Sequence, residues 1–126
     1  MKAVLDTSVF IARESGRAAF ELPEDCGVSV ATLAELHVGV LRAKDAVTRA
    51  KRLSTLSQAE GDFEGLVIDP ETARAFASIA AEARSKGRRP KTMDVWIAAT
   101  ALRHGAVLIT QDPDFEGMAQ IQVQRV

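Results

Sequence analysis

The sequence predicts an α/β fold in which a mostly parallel sheet is flanked by helices. Three observations carry this expectation. Short, unbroken apolar runs recur along the chain, at Ala3-Val4-Leu5, Leu66-Val67-Ile68 and Ala106-Val107-Leu108-Ile109. Runs of this kind are what strands covered on both faces look like. Between them lie longer segments with apolar residues at helical spacing. Strands that alternate with helices in this way build βαβ units and a parallel sheet.

Ala3 to Leu5 reads as a buried strand ended by Asp6, and Thr7 to Glu14 as the start of a helix. Cys26 to Val30 is a second, weaker strand. Thr32 to Leu41 is apolar on most sides (Leu33, Leu36, Val38, Val40, Leu41), which predicts a buried helix. An amphipathic helix follows over about Asp45 to Leu56, with Val47, Ala50 and Leu53 on one face. Gly61 to Gly65 breaks the pattern, and Leu66-Val67-Ile68 is the next strand. Asp69-Pro70-Glu71 opens a helix with Asp at the N-cap and Pro at the first helical position. Ala73, Phe76, Ala80 and Ala83 then share a face until Gly87 stops the helix. Asp94 to His104 is a further helix closed by Gly105. Ala106 to Ile109 is the clearest strand, and Ile121-Gln122-Val123 alternates as an edge strand would.

Length and composition bound the rest. The 126 residues fit one domain over 1–126, and a hydrophobic share of 47% builds a core without disulfides. The single cysteine, Cys26, has no internal partner and no neighbouring base, so it reads as an inert thiol in a reducing, cytoplasmic setting. Asp6 interrupts the first apolar run, although a leader needs about 7–15 uncharged apolar residues. No stretch approaches the roughly 20 residues of a membrane span. The net charge of -1 is uninformative, but its distribution is not. Arg84, Lys86, Arg88, Arg89 and Lys91 run without an acid between them, and Arg42, Lys44, Arg49, Lys51 and Arg52 are offset only by Asp45. Such runs are either solvated faces or a phosphate-facing surface.

Four carboxylates stand where elements change. Asp6 follows the first strand, Glu35 lies early in a helix after the second, Asp94 opens a helix, and Asp112 lies just past the last clear strand. In open α/β sheets ligands bind beyond the carboxyl ends of strands. Each acid also has a local explanation. Asp6 and Asp94 are good N-caps, Thr32 with Glu35 fits a capping box, and Asp112-Pro113-Asp114 fits a turn. These explanations do not account for four acids beside apolar runs. Glu35, set among Leu33, Ala34, Leu36 and Val38, has no Lys or Arg within a helical turn to pair with. Converging carboxylates repel one another, and a divalent cation relieves that repulsion. Oxygen ligands without His or Cys favour a hard ion, Mg2+ or Mn2+. His37 and His104 form no metal-binding spacing. An acid-held cation beside basic segments points to phosphodiester chemistry.

The segments VLDTSVFIA, TLAELHVGVLRA, TMDVWIAATALRHGAVLIT and TQDPDF, with Asp6, Glu35, Asp94 and Asp112 in that order, resemble the PIN-domain nucleases. The likeness spans nearly the whole chain and is greatest to the VapC-type toxins of bacterial toxin–antitoxin pairs. The resemblance implies a Rossmann-like PIN fold and a Mg2+- or Mn2+-dependent endoribonuclease. It also implies a toxin that cleaves structured RNA, tRNA or rRNA, and inhibits translation. A cognate VapB-type antitoxin would neutralise it, and the chain would form a homodimer and a larger toxin–antitoxin complex. Asp6, Glu35, Asp94 and Asp112 become metal ligands; Thr7 and Thr110 fall where hydroxyls attend the site, and Asp114 competes with Asp112. We favour Asp112 because Pro113 holds it extended.

Aromatic residues are only 5%, so RNA recognition is expected through phosphates and shape rather than stacking. Arg88, Arg89 and Lys91, in the loop leading to Asp94, are the first candidates, with Arg13 and Arg42 second. Trp96, on an apolar helix, is read as core or dimer seam. Two rival readings remain: a Mg2+-dependent phosphatase, whose Asp-x-Asp motif is absent from Asp6-Thr7-Ser8, and a silent PIN-like binding module, which would lack some of the acids.

Overall fold

The computed structural model describes residues 3–17 and 20–126. Five parallel strands form one sheet: β1 (Ala3–Leu5), β2 (Cys26–Ser29), β3 (Glu64–Leu66), β4 (Val107–Thr110) and β5 (Val123–Arg125), in the order β3-β2-β1-β4-β5. The helices are α1 (Thr7–Glu14), α2 (Val30–Leu41), α3 (Ala46–Asp62), α4 (Pro70–Ser85) and α5 (Thr92–Arg103), with a 3-10 turn, η1, at Pro113–Gly117. The predicted α/β architecture is thus observed, with every strand pair parallel.

Period-two alternation divides the core between the two faces of the sheet. On one face Val4 and Leu108 pack with Ile79, Val95, Ile97 and Phe115. On the other, Ala3, Leu5 and Ile109 pack with Val9, Phe10, Leu36 and Leu56. Strand order sets where a ligand can sit. The chain moves outward from β1 to β2 and β3, then returns across the sheet to β4 on the other side of β1. Right-handed crossovers put helices on opposite faces for opposite directions of travel. A crevice therefore opens at the carboxyl ends of β1 and β4, where the direction changes.

Two helix ends are closed by glycine as expected. Gly87 (φ 71°) and Gly105 (φ 59°) adopt the left-handed conformation. Arg88 N then donates to Ala83 O (2.8 Å) and Ala106 N to Ala101 O (2.9 Å), the signature of a Schellman end.

Several boundaries differ from the sequence reading. The helix expected from Thr32 begins at Val30, because Ser29 Oγ caps it by accepting from Ala31 N (3.1 Å). Glu35 therefore lies in the second turn, and the Thr32–Glu35 capping box does not form. Strand β3 is Glu64–Leu66 rather than Leu66–Ile68. Pairing with Gly27, Val28 and Ser29 stops at Leu66, and Val67 and Ile68 are exposed. Helix α3 runs on through Gly61 to Asp62. Its core contacts come from Leu56 and Ala59, while Val47 (78% exposed), Ala50 and Leu53 face solvent. On α4 the buried positions are Thr72 and Ile79, with Ala73 outside. Helix α5 begins at Thr92, and Lys91, not Asp94, is its N-cap. The last strand is Val123–Arg125, two residues beyond the expected start. Trp96 packs on Phe76 with ring centroids 4.1 Å apart, in keeping with a core role.

Denaturant unfolding tests the reassigned faces. Leu108→Ala should lose about 3 kcal/mol, and Val47→Ala should stay within about 0.5 kcal/mol of the parent. Comparable losses in the two would contradict the placement of the outer face of α3 in solvent.

Candidate active site

Asp6 leaves β1 at the crevice and is only 4% exposed. A buried carboxylate needs donors, and here they are hydroxyls. Asp6 Oδ2 accepts from Ser8 Oγ (2.6 Å), Thr110 Oγ1 (2.8 Å) and Ser8 N (3.3 Å). The N-cap reading of Asp6 is thus correct, yet the cap occupies one oxygen alone. Among the described residues every hydrogen bond to this side chain falls on Oδ2, so Oδ1 is available to a cation. Ser8 Oγ also accepts from Gln111 N (2.9 Å), and Thr110 Oγ1 from Asp112 N (2.9 Å). The ends of β1 and β4 are thereby stitched together. Thr110 was anticipated; Ser8 was not, although a hydroxyl two residues after a strand-ending Asp is a local signal for it.

Glu35 projects from α2 toward the same edge. Thr7 Oγ1 donates to Glu35 Oε1 (2.6 Å) and lies 3.2 Å from Thr32 Oγ1. Thr32 thus joins Thr7 and Glu35 in one chain of hydrogen bonds. The carboxylate is half-buried, and its partner is a hydroxyl rather than a basic side chain.

Asp94 lies in the first turn of α5 and caps nothing. Burial, then the charges of Asp6, Asp112 and Glu35, push its carboxyl up to about 6, against an opposing effect of Lys91. Other acids move the opposite way. Hydrogen bonds from Thr72 hold Asp69 down at about 2, and Gln120 and Lys86 lower Glu82. Asp94 is thus where the four predicted acids meet electrostatically.

Asp112 is extended before Pro113, as expected, and its Oδ1 accepts from Asp114 N (2.8 Å), so it also caps η1. Turn chemistry and site chemistry coexist in one residue. Ligand oxygens of Asp94, Asp112 and Asp114 all lie within 4.8 Å of one another. Asp114 thus stands level with Asp112, and Asp6 and Glu35 stand outside this tightest group. An all-oxygen, mutually repelling donor set suits a hard divalent cation.

A groove of about 400 Å3 runs from Asp94 and Asp114 between the end of α4 and the turn after η1. Arg88, Arg89 and Lys91 line it with those acids. Arg13 lies instead in a separate cleft between α1 and α3, and Arg42 is the exposed C-cap of α2; neither lines the groove.

Known proteins share this fold. The PIN domain family profile matches residues 3–121. Ribonuclease VapC5 of Mycobacterium tuberculosis is 45% identical over 98% of this chain and 94% of its own length. Ribonuclease VapC1 of Rickettsia felis is 30% identical over 100% and 97%. Among solved structures, the VapBC-5 toxin–antitoxin system of M. tuberculosis contains a chain that superposes with a TM-score of 0.88 at 39% identity, covering 100% of both chains. A chain of DNA-bound VapBC from Salmonella typhimurium gives 0.87 at 25% identity, covering 99% and 98%. With the family profile spanning nearly the whole chain and these relatives matching end to end, the chain belongs to the PIN-domain family, among its VapC members.

Proposed function

We propose that this chain, as one domain over residues 1–126, is a Mg2+- or Mn2+-dependent endoribonuclease and the toxin of a toxin–antitoxin pair. The observation that carries the reading is the meeting of Asp6, Glu35, Asp94 and Asp112, with Asp114, beside a groove that Asp94 and Asp114 line together with Arg88, Arg89 and Lys91. Asp94, Asp112 and Asp114 would hold a cation, with Asp6 Oδ1 and Glu35 completing the acidic ring. A divalent ion held there would supply Lewis-acid activation of water and would neutralise charge on a phosphate.

The protein's own groups do the rest. Ser8 and Thr110 fix Asp6, and Thr7 fixes Glu35, so both carboxylates are oriented before substrate arrives. Arg89 and Lys91 make no ion pair among the described residues and reach phosphates along the groove. Arg88 stands with them, although its Nη1 already donates to Gly117 O (2.7 Å). Arg13 and Arg42 would meet RNA only beyond the groove. The substrate we favour is structured RNA, tRNA or rRNA, whose cleavage inhibits translation.

A VapB-type antitoxin and a second copy of the chain are the proposed partners. Leu41 (71% exposed), Val38 and Val47 offer apolar surface of the kind partners cover. No helix of the described residues is long and apolar enough to cross a membrane, and we place the protein in the cytoplasm.

Purified chain incubated with cellular RNA should give discrete fragments with Mg2+ or Mn2+ and none with EDTA. Asp6→Asn and Asp94→Asn should each slow cleavage at least about 100-fold. Fragments that persist in either variant at the parent rate would overturn the reading.

The crowded acids also predict a stability signature. The carboxyl of Asp94 has a raised pKa in the fold, so its contribution to stability is full below the unfolded value and lost as pH rises through about 6. Asparagine escapes that loss. Without divalent cations, Asp94→Asn should raise Tm by about 3 °C at about pH 7.5, a figure discounted for partial exposure. At about pH 4 it should raise Tm by nothing measurable. Thermal unfolding at the two pH values checks both the sign and the window.

A further inference from the structure

Gly117 is a glycine without a conformational reason. Among the described residues only Gly16, Gly87 and Gly105 have positive φ, so alanine is compatible with the backbone at 117. What excludes a side chain there is contact. A Cβ on Gly117 would overlap the guanidinium of Arg88, which occupies that space. Arg88 Nη1 donates to Gly117 O at 2.7 Å. The acceptor is the last carbonyl of η1, the turn that carries Asp114 and is capped by Asp112.

Both ends of this contact are anchored. Arg88 N is fixed to Ala83 O in the Schellman end of α4, and four residues after Arg88 the chain enters α5 at Thr92 and reaches Asp94 in its first turn. On the other side, Phe115 is fully buried and pins η1 to the core. Further along, Gln120 Nε2 donates to Glu82 Oε2 (2.5 Å) and Ser78 Oγ donates to Gln120 Oε1 (2.8 Å), tying the segment to α4. Asp112 N on Thr110 Oγ1 and the Glu116–Arg125 pair hold the turn on its strand side. The contact at Gly117 is the one that ties it to the α4–α5 loop.

We propose that Arg88 is a positioning residue. Seated on Gly117, it locks the turn bearing Asp112 and Asp114 to the α4–α5 loop and so sets their spacing from Asp94. Gly117 is the matching half of the device, because only a residue without a side chain lets the guanidinium lie there. The inference rests on the reading of these acids as a cation site; its geometry does not depend on RNA being the substrate.

The test is Mn2+ affinity by titration calorimetry on the full chain and on Arg88→Ala, Arg88→Lys, Gly117→Ala, the double alanine variant and Arg89→Ala. Loss of a partner that orients metal ligands typically weakens binding about 10-fold or more. Arg88→Ala and Gly117→Ala should each show a loss of that order. The double variant should be no weaker than either, since both substitutions remove one contact. Arg88→Lys, which keeps a donor, should recover part of the affinity, and Arg89→Ala should match the parent. In RNA cleavage, Gly117→Ala should lower kcat with KM little changed, whereas Arg89→Ala should raise KM. The displaced atoms in Gly117→Ala are the far end of a flexible side chain, so its Tm should stay near the parent's.

Parent-level Mn2+ affinity in a folded Gly117→Ala, or losses that add in the double variant, would overturn the proposal and leave Arg88 as a phosphate contact. A parent that binds Mn2+ tightly yet cleaves no RNA would overturn the nuclease reading alone, with the latch then decided by calorimetry. A parent that binds no Mn2+ would overturn both.

Discussion

Asp6 Oδ2 receives three hydrogen bonds at the junction of β1 and β4, two from Ser8 and one from Thr110. This buried carboxylate borders the group of acids that meets at Asp94. The same hydroxyls that satisfy Asp6 also accept from Gln111 N and Asp112 N, so the chain leaving β4 is steered by the group that orients Asp6. Sheet order supplies the place, because the reversal between β1 and β4 opens a crevice there. The hydroxyls supply the precision. Removing one of these donors would leave a buried oxygen partly unsatisfied and free the start of the η1 segment at once.

Gathering charge in this way opposes folding. Asp94 carries the burden, since burial and three neighbouring carboxylates all disfavour its ionised form. Elsewhere the fold treats acids conventionally: Asp45 and Asp69 cap α3 and α4, and Arg103 pairs with Asp69 and Glu71. The strained electrostatics are thus confined to one end of the sheet. Stability and function pull against each other there, as is common where a site needs charge that the fold alone would not choose. The latch at Gly117 belongs to the same economy of design, because carboxylates that repel one another must be held at their spacing from outside.

How much of this was legible in the sequence depends on how local each signal is. Strand β1, helix α1 and the ends at Gly87 and Gly105 were read correctly because apolar runs and glycine stops act within a few residues. The sequence places the start of helix α2 too late because Val30 looks like a strand residue, whereas the cap that decides the boundary is Ser29. Leu66-Val67-Ile68 reads as a strand on hydrophobicity, but pairing register with β2 decides where β3 lies. Val47 and Leu53 were given one face, and that face turns outward. In the site, the order of Asp6, Glu35, Asp94 and Asp112 follows motif positions, and the structure brings all four around Asp94. The equal standing of Asp114, the role of Ser8 and the seat of Arg88 on Gly117 depend on contacts 29 to 103 residues apart in sequence or on a turn's three-dimensional course. No spacing rule reaches them.

The carboxylates at the β1–β4 crevice are proposed to form one cation site. Anomalous diffraction from crystals grown with Mn2+ tests it most directly. The account predicts a peak bounded by oxygens of Asp94, Asp112 and Asp114, on the side facing Asp6 Oδ1. Absence of any peak there in crystals saturated with Mn2+, or a peak held by other residues, would contradict it.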